Sequence, residues 1–122
     1  MKLFAHLRTT QTFRRQHLRF LETEEDQDII LEVGLHQERG KPLTLRQLQF
    51  LGITSIPTLQ RRLRQLRQIG AIVVKRREHD KRAVELRLSP RVMRTYARYV
   101  NLLTSMRGNG AEHPAAGSNT AL

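Results

Sequence analysis

One segment constrains the fold of this chain more than any other. From Thr54 to Gly70 it reads TSIPTLQRRLRQLRQIG, a helical pattern whose apolar stripe is Leu59, Leu63 and Leu66. At ~100° per residue these leucines share one face, while Pro57, Arg61, Arg64, Gln65 and Gln68 fall opposite, with Thr58 beside them. The helix therefore has one face for a core and an opposite face made of hydrogen-bonding or compact groups. Pro57 fits only its first turn, because deeper in the helix it would lose a hydrogen bond and clash with the preceding turn, at about 3 kcal/mol.

The flanking residues set this helix in a recognisable order. Lys41-Pro42-Leu43 is a connector, and Thr44 with Gln47 three residues on forms a capping signature. Leu45, Leu48 and Leu51 then give a short helix stopped by Gly52, which can take the left-handed conformation that lets the chain reverse. Two short helices joined by a glycine turn are the sequence image of a helix-turn-helix. After Gly70, Ile72-Val73-Val74 starts a β-branched strand. In a second strand Val84, Leu86 and Leu88 alternate with Glu85 and Arg87. Glu78-His79-Asp80-Lys81 is the turn between them, so a hairpin with a basic tip is expected.

Ser89-Pro90 provides a cap and first helical residue. The helix it opens carries Val92, Tyr96, Tyr99, Val100 and Leu103 on one face and is expected to end near Gly108. Upstream, Leu3, Leu7, Phe13, Leu18 and Leu21 mark an amphipathic helix interleaved with arginines. Met1 to Leu21 is Arg-rich and free of acids, as transit segments are, but it is taken here as a helix of the folded chain. Thr23 begins another capping signature, with Glu24, Glu25 and Asp26 placed to compensate the helix dipole. Ile29, Ile30, Val33 and Leu35 form the buried side of that helix, which closes near Gly40. The expected organisation is an N-terminal helical arm (1–22), a central module with its C-terminal helix (23–107) and a disordered tail (108–122).

Composition narrows the partner. The 122 residues suit one domain, and 22 Lys and Arg against 11 Asp and Glu give a formal net charge of +11. Such an imbalance points to a polyanion. Between Arg46 and Arg98 the acids are only Glu78, Asp80 and Glu85. Most of the cations there are Arg, whose planar fork can grip phosphate or a guanine edge in two places. With no Cys, disulfides, thiolate nucleophiles and Cys-based zinc sites are excluded, and an intracellular location is the easier reading. No apolar run approaches the ~18 residues of a membrane helix, so a soluble chain is expected. His6, His17, His36, His79 and His113 lack metal-ligand spacing. No nucleophile elbow, phosphate loop or carboxylate pair appears, so neither an enzyme nor a cofactor is expected.

The order helix, helix, Arg-rich helix, two-stranded hairpin, helix describes a mainly α fold with a small β-hairpin wing, a winged helix-turn-helix. Leu51-Gly52-Ile53-Thr54, the run Leu59 to Leu66, Gly70-Ala71-Ile72 and, above all, DKRAVELRLSP from Asp80 to Pro90 resemble the MarR family of bacterial transcriptional regulators. The resemblance covers roughly residues 28–103. It implies a helix from Ser55 to Gln68 in the major groove of duplex DNA and a wing in the neighbouring minor groove. The contacts it implies are Thr54, Ser55, Pro57, Thr58, Arg61, Arg62, Arg64 and Gln65 from the helix region. From the wing come Arg76, Arg77, His79 and Lys81, with Arg82 as the minor-groove finger. Asp80 is expected to shape the wing and pair with an Arg. The resemblance further implies a homodimeric, cytoplasmic, nucleoid-associated regulator, with repression the expected sign. Two readings stand beside it: an architectural or replication-associated DNA binder of low specificity, and a winged-helix module that docks another protein.

Overall fold

A computed structural model describes residues 2–80 and 82–111, with side chains through residue 107. The elements are α1 (Leu3–His17), α2 (Glu24–Glu38), α3 (Leu45–Phe50), α4 (Ile56–Gln68), β1 (Ile72–Arg76), β2 (Val84–Leu88) and α5 (Pro90–Ala111). They fall into two compact units, Phe20–Met93 and a second built from Met1–Arg19 with Arg94–Leu122. The last helix continues to Ala111 instead of ending near Gly108. The rest of the segment expected to be a disordered tail lies outside the described residues. Among the described residues no helix is long and apolar enough to cross a membrane.

In the Phe20–Met93 unit each helix begins where its side chains satisfy the otherwise unpaired N–H groups of the first turn. Thr23 and Asp26 form a reciprocal capping box on α2, and Thr44 and Gln47 form another on α3. Ser55 caps α4 through the N–H of Thr58, and Pro57 sits in the first turn. Ser89 caps α5 through the N–H of Val92. Gly52, at φ 68°, makes the turn between α3 and α4 in a conformation that costs a residue with a Cβ about 1 kcal/mol or more. Past α4, Gly70 donates to the Arg67 carbonyl and Ala71 to that of Leu66, closing the helix as a Schellman motif.

The core of this unit is assembled from Ile29, Ile30 and Val33 of α2, Leu48 of α3, Leu59, Leu63 and Leu66 of α4, Ile72, Leu86 and Leu88 of the hairpin, and Val92. Some expected core positions differ. Leu35 is only partly buried. Leu51 is 45% exposed, because α3 is a single short helix and Leu51 falls on its C-cap, at the rim of an open groove.

β1 and β2 pair antiparallel with Ile72 opposite Leu88, Val74 opposite Leu86 and Arg76 opposite Val84. The hairpin is tied to the helices by backbone groups. The N–H of Leu86 donates to the Leu43 carbonyl, that of Ser89 to the Ala71 carbonyl, and that of Leu88 to the side-chain oxygen of Gln37. α2 passes so close to β2 that a Cβ at Gly34 would lie 3.1 Å from Leu88 Cδ1.

In the second unit no residue of α1 is buried. Phe13 stacks on Tyr99 at 5.2 Å between ring centroids, and the Arg98 guanidinium lies 5.7 Å from the centre of the Phe13 ring. Leu3, Phe4 and Leu7 of α1 and Val100 and Leu103 of α5 are exposed, so the apolar face foreseen for the last helix is only partly covered.

Three substitutions test this packing. Leu66→Ala, at a fully buried position, is expected to lower the unfolding free energy by about 3 kcal/mol in denaturant melts. Gly34→Ala should cost about 1 kcal/mol, because Leu88 must shift to admit the methyl group, and Leu88→Ala should relieve that part of the penalty.

Candidate nucleic-acid interface

The outward face of α4 is built by its inward one. Leu59, Leu63 and Leu66 are buried, which turns Pro57, Arg61, Arg64 and Gln68 out into solvent. Thr58 and Gln65 sit at the margin, partly exposed. Thr54 lies in the bend before the helix and is partly covered, whereas Ser55 is exposed. The Ser55 hydroxyl donates to that of Thr58 at 3.0 Å while accepting the Thr58 N–H, so these two side chains also stiffen the first turn. Arg61, Arg64 and Gln65 thus present long donors on a helix whose N-terminus is fixed.

Arg62, expected among the DNA contacts, is engaged within the fold. It lies three residues after Leu59, ~60° away around the helix, and so flanks the buried stripe. Its side chain is only 14% exposed. Nε donates to Asp26 Oδ1 and Nη2 to Asp26 Oδ2, both at 2.7 Å, and Nη2 reaches Glu22 at 3.1 Å. This is a two-pronged, charge-assisted pair. The helical wheel carried the signal, since a cation beside an apolar stripe needs an anion, but nothing in the sequence named Asp26 as its partner.

Asp26 has no exposed surface. Burial pushes its carboxyl up. The hydrogen bonds from Arg62 and from the Glu22 and Thr23 N–H groups, with the charge of Arg62, outweigh that and hold it below its ordinary value of 3.8. The Asp26 hydrogen bond in turn raises the Arg62 guanidinium further, so both members of the pair are charged at neutral pH. Asp26 thereby does more than compensate a helix dipole.

On the wing, Asp80 takes part in forming the turn. Its carboxylate accepts the Arg82 N–H at 3.1 Å, and its carbonyl accepts that of Ala83. Arg82 and His79 are exposed, as are Arg76 and Arg77. Lys81 lies outside the described residues. The Arg77 Nε is engaged with Glu85 at 3.0 Å, and Arg87 approaches the other oxygen of Glu85 at 3.4 Å, so part of the wing's positive charge is balanced internally. An open cleft of about 620 Å³ is lined by Asp80 and Arg82 of the wing together with Thr44, Arg46 and Gln49 along α3 and its cap. Arg46 was not singled out from sequence, because its proximity to the wing depends on the hairpin folding back past α3.

No protein-family model matches the sequence, and no curated protein matches it by sequence. Solved structures do match. The S. aureus MepR–DNA complex aligns at a TM-score of 0.68 and 18% identity, over 91% of this chain and 80% of that one. MarR aligns at 0.51 and 18%, over 94% and 96% of the two chains. A further solved transcriptional regulator aligns at 0.54 and 17%, over 90% and 79%. The fold is the MarR-type winged helix-turn-helix. In it, α3 and α4 are the two helices of the motif and β1 with β2 the wing.

The Asp26 pair has a signed pH consequence. A carboxyl whose folded pKa is depressed stabilises the fold above its unfolded pKa, and that contribution is lost as pH falls through the lower folded value. Acid titration of stability should therefore show a loss beginning near pH ~4, and Asp26→Asn should remove that component. Asp26→Ala, which leaves Arg62 without its counter-charge and α2 without its capping box, is expected to cost about 3 kcal/mol at neutral pH.

Proposed function

We propose that this chain is a DNA-binding transcriptional regulator that reads duplex DNA in the major groove with α4 and holds the adjacent minor groove with the wing. The observation that carries this reading is the outward face of α4. Arg61 and Arg64 are exposed, Gln65 is accessible at the margin, and all three stand on a helix whose opposite face is buried through its leucines. Arg matches the guanine edge and Gln the adenine edge with paired hydrogen bonds. The likeness to the fold of a MepR–DNA complex supports the same placement. Arg82 is assigned to the minor groove, and Arg76, Arg77 and Lys81 to phosphates, which add affinity without sequence information.

The second unit supports action as a homodimer. Leu3, Phe4 and Leu7 lie along one side of α1 and are 55%, 79% and 52% exposed, an apolar stripe suited to a second copy of the chain. Two protomers would then present two α4 helices to half-sites about 34 Å apart along the duplex. Repression, by occupation of a promoter, is the sign of regulation this reading favours, in the bacterial cytoplasm.

Selection from a random duplex pool should return a two-fold symmetric consensus. A salt-dependent affinity without sequence preference would instead place the chain among architectural binders. Arg61→Ala or Arg64→Ala should cost about 1 to 3 kcal/mol on the consensus and little on unrelated DNA. Arg77→Ala should weaken every duplex alike and reduce the salt slope by about 0.9. Leu7→Glu should yield monomers by sedimentation, with loss of the symmetric complex but retention of the folded Phe20–Met93 unit.

A further inference from the structure

Resting on the DNA-binding reading of α4, we propose that Arg62 is a positioning residue that sets the rotation of α4 through Asp26, and that it does not itself touch DNA. The leucine stripe alone does not fix that rotation tightly. Apolar burial is non-directional, and three leucines on a curved face tolerate a small roll of the helix. With side chains reaching ~6 Å from the axis, a roll of ~10° moves the outward tips by about 1 Å. That is larger than the 2.7–3.2 Å window within which a paired hydrogen bond to a base edge is made. A directional restraint is needed, and the fork of Arg62 supplies one.

The acceptor is itself immobile. Asp26 Oδ2 receives the Thr23 N–H at 3.2 Å, the Glu22 N–H at 2.9 Å and Arg62 Nη2 at 2.7 Å, while Oδ1 receives Arg62 Nε. The carboxylate is thus pinned by the two residues that lead into α2, and the guanidinium is pinned to it by two parallel bonds. Arg62 sits between Arg61 and Arg64 in sequence, so any movement of its Cα is passed to both. The same pair withholds one cation from the surface. Released from Asp26, the Arg62 guanidinium would become a mobile charge beside α4, able to hold phosphate anywhere and so to raise unspecific binding.

The test measures affinity for the selected consensus and for a scrambled duplex, across a salt series, for the full chain and for Asp26→Asn, Arg62→Met, Arg62→Lys and the Asp26→Asn/Arg62→Met double variant. Denaturant midpoints establish that each is folded at the assay temperature, and the lysine variant serves if the methionine variant is not. Asp26→Asn and Arg62→Met are each expected to lower the consensus-to-scrambled ratio about tenfold, the scale on which a remote positioning network acts. The double variant should lose no more than either single one, and Arg62→Met should keep the wild-type salt slope. Arg62→Lys, which retains charge but not the fork, should also lose specificity.

A drop of about 0.9 in salt slope for Arg62→Met, with Arg62→Lys behaving as wild type, would show a phosphate contact and overturn the proposal. An unchanged ratio in all variants would overturn it too, leaving the pair a folding element only. A wild-type chain that binds no duplex at low salt would remove the DNA-binding reading itself, and this proposal with it. That result differs visibly from binding that is intact but indifferent to Asp26 and Arg62.

Discussion

The burial of one leucine stripe on α4 governs most of what the rest of the molecule can do. Leu59, Leu63 and Leu66 meet Ile29, Ile30 and Val33 of α2 and the inward residues of the hairpin in a single core. Each buried leucine contributes about 1.5 to 3 kcal/mol, which is enough to commit the helix to one face. Once that face is inside, the opposite face has no choice of composition. Arg61, Arg64 and Gln68 are outside because they are diametrically placed, and the surface they form is a by-product of packing as much as of selection for charge.

The ion pair between Arg62 and Asp26 shows how a charged residue next to such a stripe is accommodated. A buried carboxylate is tolerated only when its lone pairs are filled and its charge is matched. Asp26 meets both conditions by serving as the third residue of a capping box and as the acceptor of a two-pronged guanidinium. One side chain therefore joins the start of α2 to the middle of α4, across 36 residues of chain. Glu22, more exposed, adds a weaker second contact. The wing uses the same chemistry on a smaller scale, with Glu85 held between Arg77 and Arg87 across and along the hairpin. The basic face of this protein is consequently less uniform than its net charge suggests, and each arginine has to be assigned individually.

Much of the architecture was legible from local chemistry. The capping residues Thr23, Thr44, Ser55 and Ser89 occupy the helix starts expected of them, and the turn at Gly52 and the end at Gly70 fall where their backbone freedom is used. Alternation along Val84 to Leu88 gave the inward side of β2 correctly for Leu86 and Leu88. Leu51, Val100 and Leu103 share apolar faces yet are exposed, for a common reason. Periodicity reports which residues share a face, but whether that face meets another element depends on where the helix ends and what lies beside it.

The division between sequence and tertiary structure follows from the range of the forces involved. The order of elements, the buried stripe of α4 and the outward placement of Arg61 and Arg64 were set by sequence alone, because helical geometry, capping and apolar periodicity act over a few residues. The fate of Arg62, the saturation of Asp26, the approach of Gly34 to Leu88 and the meeting of Arg46 with Asp80 and Arg82 were decided only by the folded structure. Those depend on segments distant in sequence being brought together by the fold. A charge has no fixed role until the fold supplies, or withholds, its partner.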